Sequence, residues 1–352
     1  MELIDLKSML PEELEEYMVS LGEPRFRAKQ VFSWLSKGAE DFAAMRNLPQ
    51  TLRTKLEETC RIDRLKLLQK QVSQLDGTTK YLWELHDGNA VETVVMRYDY
   101  GLSVCISSQV GCAQGCAFCA STIGGLVRNL SASEMLDEVL YSQLDQGEKI
   151  SHIVLMGIGE PLENYDALLR FLRLVNHPDG LNIGMRHIAV STCGLTEKID
   201  ALADENLQIT LAVSLHAPDD ETRSRLMPVN RGRGVEAVIC ACERYFEKTG
   251  RRVSFEYAMI DGVNDSVKQA EALAALARRV KAHINLIPLN HVEERKLAPS
   301  TKENLQAFCR TLTEKGANYT IRRSLGGDVD ASCGQLRRKR ERNRTSGANE
   351  AP

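Results

Sequence analysis

Residues 102–122 read LSVCISSQVGCAQGCAFCAST. The stretch opens on an alternating, β-branched run, LSVCISS, which reads as a strand. It ends in a loop carrying Cys112, Cys116 and Cys119 with the spacing C-x3-C-x2-C. A strand that delivers a thiol-rich loop is the first half of a βα unit, whose chemistry sits at the C-terminal end of the strand. What decides the fold is whether that unit repeats.

It repeats. HIVLMG, HIAVST, ITLAVSLHA, RVSFEYAMI and HINLIPL are further short, β-rich apolar runs. Between the runs lie ASEMLDEVLYSQLDQG, YDALLRFLRLVN, EKIDALADEN, VEAVICACERYFEKTG and SVKQAEALAALARRVKA, with apolar residues at helical spacings. Six βα units in series imply a parallel sheet with right-handed crossovers. The fold class is α/β, a partial (β/α)6 barrel over residues 98–330. VGCAQGC, MGIGEP, STCG, SLHAP and PLN each follow one of the strands. A last strand-like run, NYTIRRSLGG, leads to the loop DVDASCGQL.

Residues 1–62 read as an N-terminal helical accessory module. PEELEEYMVSLG, RFRAKQVFSWLSKG and LPQTLRTKLEETC are amphipathic, with Gly or Pro between them. Residues 63–97 read as a β-rich linker of short antiparallel strands, RLKLLQKQVS, TTKYLWEL and NAVETVVMRYD. Residues 331–352 hold Cys333 and then RRKRERNRTSGANEAP, a basic and then polar tail expected to be disordered.

At 352 residues, 43% hydrophobic and 26% charged, the chain has an ordinary globular composition and ample core. A net charge of −3 excludes an overall basic nucleic-acid binder, so any basic surface is local. No basic start precedes an apolar run, and no stretch approaches the roughly 18 apolar residues of a membrane span. The expected location is cytoplasmic, where ten cysteines are kept reduced and a cluster of them suggests a metal or redox site.

A structural zinc site takes four Cys or His ligands, and a conventional four-iron cluster takes four thiolates. The loop supplies three, and ASTIGGLVRNL adds no fourth. Either a distant Cys or His closes a zinc site, or one metal position stays open for a small molecule. In MGIGEP, Gly159 and Glu160 follow a strand without the Lys-Ser/Thr of a phosphate loop. A carboxylate there suits an ammonium group. Ser191, Ser214, Leu215, His216 and Asn290 also end strands. Cys60, Cys240, Cys242 and Cys309 lie in helical stretches and read as inert. Cys105 alternates with Val104 and Ile106. Cys333, in a loop of Asp, Ser and Gly, is a candidate nucleophile. Glu92 reads on its own as an outward-facing strand glutamate.

The cysteine loop after the first strand of a βα series resembles the radical S-adenosylmethionine (SAM) superfamily. That resemblance implies a [4Fe-4S] cluster held by Cys112, Cys116 and Cys119, with SAM on the open iron. It places Gly159 and Glu160 at the SAM amino group, and Ser191, Ser214, Leu215, His216 and Asn290 at its ribose, carboxylate and adenine. More closely, the chain resembles the RlmN-type RNA methyltransferases nearly end to end. EPRFRAKQVFSWL, VETVVMRY, SSQVGCAQGCAFCAST, GIGEPLENYD, GLNIGMRHIAVSTCG, SLHAPDDETRSRLMPVNR, FEYAMIDGVND, INLIPLN and TIRRSLGGDVDASCGQLR carry the likeness.

The likeness implies formation of 2-methyladenosine in 23S rRNA and tRNA. One SAM methylates Cys333, a radical from a second SAM activates that methyl group, and the resulting RNA adduct is released as Cys105 closes a disulfide with Cys333. Glu92 or Cys105 is the implied acceptor of the carbon 2 proton. The implied partners are 23S rRNA, tRNA and a flavodoxin or ferredoxin-type electron donor, and the expected oligomeric state is monomeric. The arginines of RFRAKQ, TIRRS and RRKRER are candidate phosphate contacts. Pro161, where Cfr-type relatives carry Ala, favours carbon 2 over carbon 8. Cys193 stands where Ser is usual and Ser332 where Ala is usual. A non-catalytic iron–sulfur or zinc RNA-binding protein and a radical enzyme acting on a small metabolite are the readings from other classes.

Overall fold

The computed structural model describes residues 3–290, 294–323, 325–329, 334–338, 340 and 342. The N-terminal module is clasped by a parallel pair, β1 (Ile4–Asp5) against β2 (Cys60–Arg61). Between them run α1 (Pro11–Ser20), α2 (Phe26–Leu35) and α3 (Gln50–Thr59). Each buries one stripe: Leu14 and Met18; Ala28, Val31, Phe32 and Leu35; Leu52 and Leu56. Each Leu, Val, Phe or Met among them, fully buried, contributes roughly 1.5–3 kcal/mol, and Ala28 less.

The strands that follow do not form a separate linker. β3 (Lys66–Val72), β4 (Thr79–Glu84) and β5 (Ala90–Tyr98) pair antiparallel, and β5 continues antiparallel onto β6 (Gly101–Cys105). From β6 the sheet is parallel through β9 (Ile150–Leu155), β10 (Ile188–Thr192), β11 (Thr210–Ser214), β12 (Val253–Met259), β13 (His283–Pro288) and β14 (Tyr319–Ile321). The result is one ten-stranded sheet, ordered β14-β13-β12-β11-β10-β9-β6-β5-β4-β3. Its parallel part is the expected partial barrel with one further strand. A small hairpin, β7 (Gln109–Gly111) with β8 (Leu126–Asn129), carries the cysteine loop at its tip.

The helices are α4 (Ala132–Gln146), α5 (Tyr165–Asn176), α6 (Thr196–Asp204), α7 (Asp220–Leu226), α8 (Val235–Thr249), α9 (Val267–Arg279) and α10 (Lys302–Glu314). Local chemistry sets their ends. In α4 the Ser131 hydroxyl accepts from Glu134 N–H, the Glu134 carboxylate accepts from Ser131 N–H, and Gly147 closes the helix in the left-handed region. The N-terminal module docks on α4 and α5. Lys7 pairs with Asp137, both buried, and Ser133 Oγ donates to Asp5 at 2.6 Å. Arg170 of α5 pairs with Glu13 and donates to the Ser8 carbonyl. Burial pushes the Asp137 carboxyl up to about 7, against the pull of Lys7.

The first part of the basic segment, as far as Arg342, departs from the expected disorder, while residues 343–352, the rest of that expectation, lie outside the described residues. Residues 335–338 are helical, and Leu336 is buried against Leu82 and Ala90. Arg340 pairs with Glu84 at 2.7 Å, while Arg338 and Arg342 pair with Glu294. The acids that neutralise this run lie far from it in sequence, which is why it reads as solvated. Cys333 and Ser332 lie outside the described residues. Among the described residues no helix is long and apolar enough to cross a membrane.

Candidate active site

The cysteine loop is shaped by its own backbone. Cys112 N–H donates to the Gly125 carbonyl at 3.1 Å, closing the hairpin. Gly111 sits at φ 79°, and a Cβ there would lie 2.0 Å from the Gly125 oxygen, so only glycine fits. Within the loop, Thr122 Oγ1 donates to the carbonyls of Cys116 and Cys119, and Arg295 donates to the Cys119 carbonyl and Thr122 Oγ1. Phe118 meets His216 edge to face at 4.7 Å.

The strand before the loop is stapled from behind. Ser107 N–H donates to both oxygens of the fully buried Glu138 of α4, at 3.1 Å each. Thr93 Oγ1 donates to the same carboxyl at 2.6 Å, and Ser107 Oγ reaches the Glu92 carbonyl at 2.9 Å. These contacts tie β5, α4 and the start of the cysteine loop into one unit.

Cys112, Cys116 and Cys119 border a cavity of about 270 Å³ at the C-terminal ends of the parallel strands. Gly159, Glu160, Ser191, Ser214, His216 and Asn290 border the same cavity. Leu215 does not: its side chain is buried in the core, and its carbonyl accepts from Arg223 Nε. Glu160 is buried, with one oxygen accepting from Leu162 N–H at 3.0 Å and the other from Cys193 N–H at 2.7 Å. Burial pushes its carboxyl up, and the Cys193 contacts oppose the rise. Only glycine fits at position 159, where φ is 111° and a Cβ would lie 2.6 Å from Gln109 Cβ and 2.7 Å from Ser108 Oγ. Ser191 and Ser214 hydroxyls lie 3.5 Å apart. His216 Nδ1 accepts from Ala258 N–H at 2.9 Å, and burial pushes its pKa down to about 3, so the ring is neutral.

The donor set fits a three-thiolate cluster with one open position. Burial pushes the Cys112 thiol up to about 12 and the Cys116 thiol higher still. Metal ligation compensates that by replacing the proton. Cys193 is in the cavity wall, but its thiol donates to Gln114 at 3.4 Å, and His216 is committed to Ala258. Among the described residues Glu160 and Glu256 are the carboxylates in the cavity wall, and Glu160, which acts on both Cys112 and Cys116, is placed to receive an ammonium group.

Two of the expected catalytic residues lie outside that cavity. Cys105 is buried at the end of β6 among Val94, Met96 and Val154, next to Met156, which lines the cavity. Glu92 is 3% exposed, which overturns its reading as an outward-facing strand residue. Its carboxylate accepts from Lys80 at 2.8 Å, from Gly334 N–H at 2.7 Å and from Arg337 N–H at 2.7 Å. It holds the chain directly after position 333.

Sequence reading missed Arg223. This side chain is 1% exposed and donates to the carbonyls of Cys193, Ser214 and Leu215 and to Asn230 Oδ1. It joins the STCG and SLH loops under the cavity. The one trace in sequence is its spacing of three from Leu226 on α7, whose buried residues are these two.

Residues 4–62 match the family model described as "Ribosomal RNA large subunit methyltransferase N-terminal domain", and residues 106–274 match "Radical SAM superfamily". The chain is 51% identical over 343 residues to a "Probable dual-specificity RNA methyltransferase RlmN" of Alkaliphilus oremlandii, covering 97% of this chain and 100% of that one. It is 53% identical over 338 residues to a protein of the same description from Halalkalibacterium halodurans, covering 95% and 93%. The crystal structure of a radical SAM methyltransferase from Sphaerobacter thermophilus superposes with a TM-score of 0.89 at 44% identity, covering 94% of this chain and 98% of that one.

Proposed function

This chain belongs to the RlmN family of dual-specificity RNA methyltransferases within the radical SAM superfamily, and we propose that it forms 2-methyladenosine in 23S rRNA and tRNA. It is a SAM-dependent enzyme with a [4Fe-4S] cluster. When bound, the cluster and SAM supply a carbon radical and a methyl group. Cys112, Cys116 and Cys119 hold the cluster, Gly159 and Glu160 the SAM amino group, and Ser191, Ser214 and Asn290 the rest of the molecule. Cys333 carries the methyl group as a thioether, and Cys105 forms the disulfide that releases the RNA.

One observation carries this reading. The motifs that end five separate strands converge on one cavity, while Glu92 grips Gly334, the neighbour of Cys333. Engagement of both Glu92 oxygens supports an anchoring role, and the carbon 2 proton then falls to Cys105. Pro161 lines the cavity beside Glu160, and its presence favours carbon 2 over the carbon 8 chemistry of Cfr-type enzymes. A flavodoxin or ferredoxin-type donor, a cytoplasmic location and a monomeric state complete the proposal. The N-terminal module serves as an RNA-holding element.

The test is Cys105→Ala. The variant is expected to cleave SAM and to accumulate a covalent RNA–protein adduct visible as a shifted band on a denaturing gel. Normal turnover to free methylated RNA by that variant would overturn the role given to Cys105.

A further inference from the structure

Beneath the catalytic cavity the barrel is hollow. The inward-facing residues nearer the N-terminal strand ends are small or polar: Ser103, Ala189, Thr210, Ala212 and Ser254. Barrels of this kind usually fill that layer with bulky branched side chains. Here it leaves a second cavity of about 600 Å³. Met156, Glu256 and Arg322 belong to the walls of both cavities, so the two chambers meet there.

The rim of the lower chamber has two unlike sides. On one side, Tyr98 and Tyr100 stack with ring centroids 4.9 Å apart and planes 10° from parallel. His152 braces Tyr100 edge-on at 4.6 Å, and His152 Nε2 shares a 3.0 Å hydrogen bond with His187 Nδ1. Tyr100 is nevertheless 59% exposed, so a rigidly backed aromatic surface faces solvent. On the other side, Arg322 and Arg323 follow β14. Among the described residues neither guanidinium has a hydrogen-bond or ion-pair partner. Several other surface arginines are neutralised, as Arg97 is by Glu148, Arg244 by Asp200 and Arg279 by Glu236, while others such as Arg46, Arg186 and Arg310 are also unpaired among the described residues; what sets Arg322 and Arg323 apart is the aromatic face across the chamber.

We propose that this lower chamber and its rim receive a nucleotide flanking the target adenosine in single-stranded RNA, its base stacked on Tyr100 and its phosphate held by Arg322 and Arg323. The proposal rests on the reading of the substrate as RNA. An exposed aromatic face beside arginines that hold no hydrogen-bond or ion-pair partner is the combination by which proteins hold unpaired RNA without reading its sequence. Arg322, shared by both chambers, then links the bound strand to the catalytic cavity. Asp99 and the buried Glu256 also line the chamber and repel phosphate; Glu256 lies on the β12–β14 side within the field of Arg322, so the exposed Arg323 is the freer of the two cations for the phosphate.

The test uses the full chain with its cluster reconstituted without oxygen. The probe is a fluorescein-labelled RNA hairpin with an unpaired adenosine in its loop, followed by anisotropy across a potassium chloride series. Tyr100→Ala is expected to raise Kd roughly ten-fold, and Tyr100→Phe to restore it, because stacking needs the ring and not the hydroxyl. Arg323→Gln is expected to reduce the slope of log K against log salt by about 0.7. An Arg244→Gln control on the outer helix α8 serves as reference, and cluster absorbance reports that each variant is folded. Wild-type Kd and salt slope in both Tyr100→Ala and Arg323→Gln would overturn the site while leaving the RNA reading standing. Failure of the unmodified enzyme to bind the hairpin would overturn both.

Discussion

Replacing Glu92 by Gln tests what holds the segment that carries Cys333. Glutamine keeps the volume and one acceptor oxygen. Its amide nitrogen then faces either Arg337 N–H or the Gly334 N–H and Lys80 pair, donor against donor. Lys80 is fully buried, and removing the charge opposite it costs on the order of 3–5 kcal/mol. A lost backbone hydrogen bond adds about 1 kcal/mol. Release of residues 334–338 relieves most of this, so the expected outcome is local opening, not global unfolding. If opening becomes easier by about 3 kcal/mol, amide exchange there rises roughly 100-fold, since 1.4 kcal/mol is ten-fold. Hydrogen-exchange mass spectrometry on a peptide covering 334–338 reads the change, with a peptide from α9 as the internal reference. The double variant Lys80→Met/Glu92→Leu removes the buried charge but leaves both amides without their acceptor. It is expected to recover global stability without recovering protection. Wild-type exchange in Glu92→Gln would refute the anchoring role.

Three further outcomes follow from the site. Gly111→Ala places a Cβ against the Gly125 oxygen at a left-handed φ, so the loop is expected to lose its hairpin and the protein most of its bound iron, measured by iron analysis after reconstitution. Arg223→Met leaves four buried acceptors without their donor and is expected to lower stability by roughly 3–5 kcal/mol in urea denaturation and to weaken SAM binding. A change under 1 kcal/mol would contradict its role as the staple of the strand-end loops. His216 titrates near 3 in the fold against about 6.5 unfolded, so it contributes stability above pH 6.5 that is lost as pH falls toward 3. Between pH 7 and pH 5 this amounts to roughly 2 kcal/mol, and His216→Gln is expected to remove that part of the pH dependence.

The barrel and the metal loop were legible because each is a repeating or spaced pattern. βα alternation sets the parallel sheet, and three soft ligands in eight residues have few uses. The strand-end residues followed from topology, since a parallel barrel puts its loops on one face. Glu92 reads as exposed from sequence because an antiparallel strand commonly has one wet face. β4 and β5 are instead covered on both faces, with Leu336 packed on Leu82 and Ala90. Arg223 and Lys80 escaped notice because sequence gives a residue's charge but not the direction of its side chain. The partners of Arg340 and Arg342 are Glu84 and Glu294, remote in sequence, and only the tertiary fold brings these charges together. Leu215 stands between Ser214 and His216 in sequence, yet just past the end of β11 its side chain turns to the core while theirs border the cavity.

The most direct measurement of the central claim is the identity of the nucleoside produced. The enzyme is reconstituted without oxygen and supplied with SAM, a reductant and an rRNA fragment from the peptidyl-transferase centre. The RNA is then digested and its nucleosides resolved by mass spectrometry against standards. The account predicts 2-methyladenosine. Finding 8-methyladenosine, or unmethylated adenosine while SAM is consumed, would contradict it.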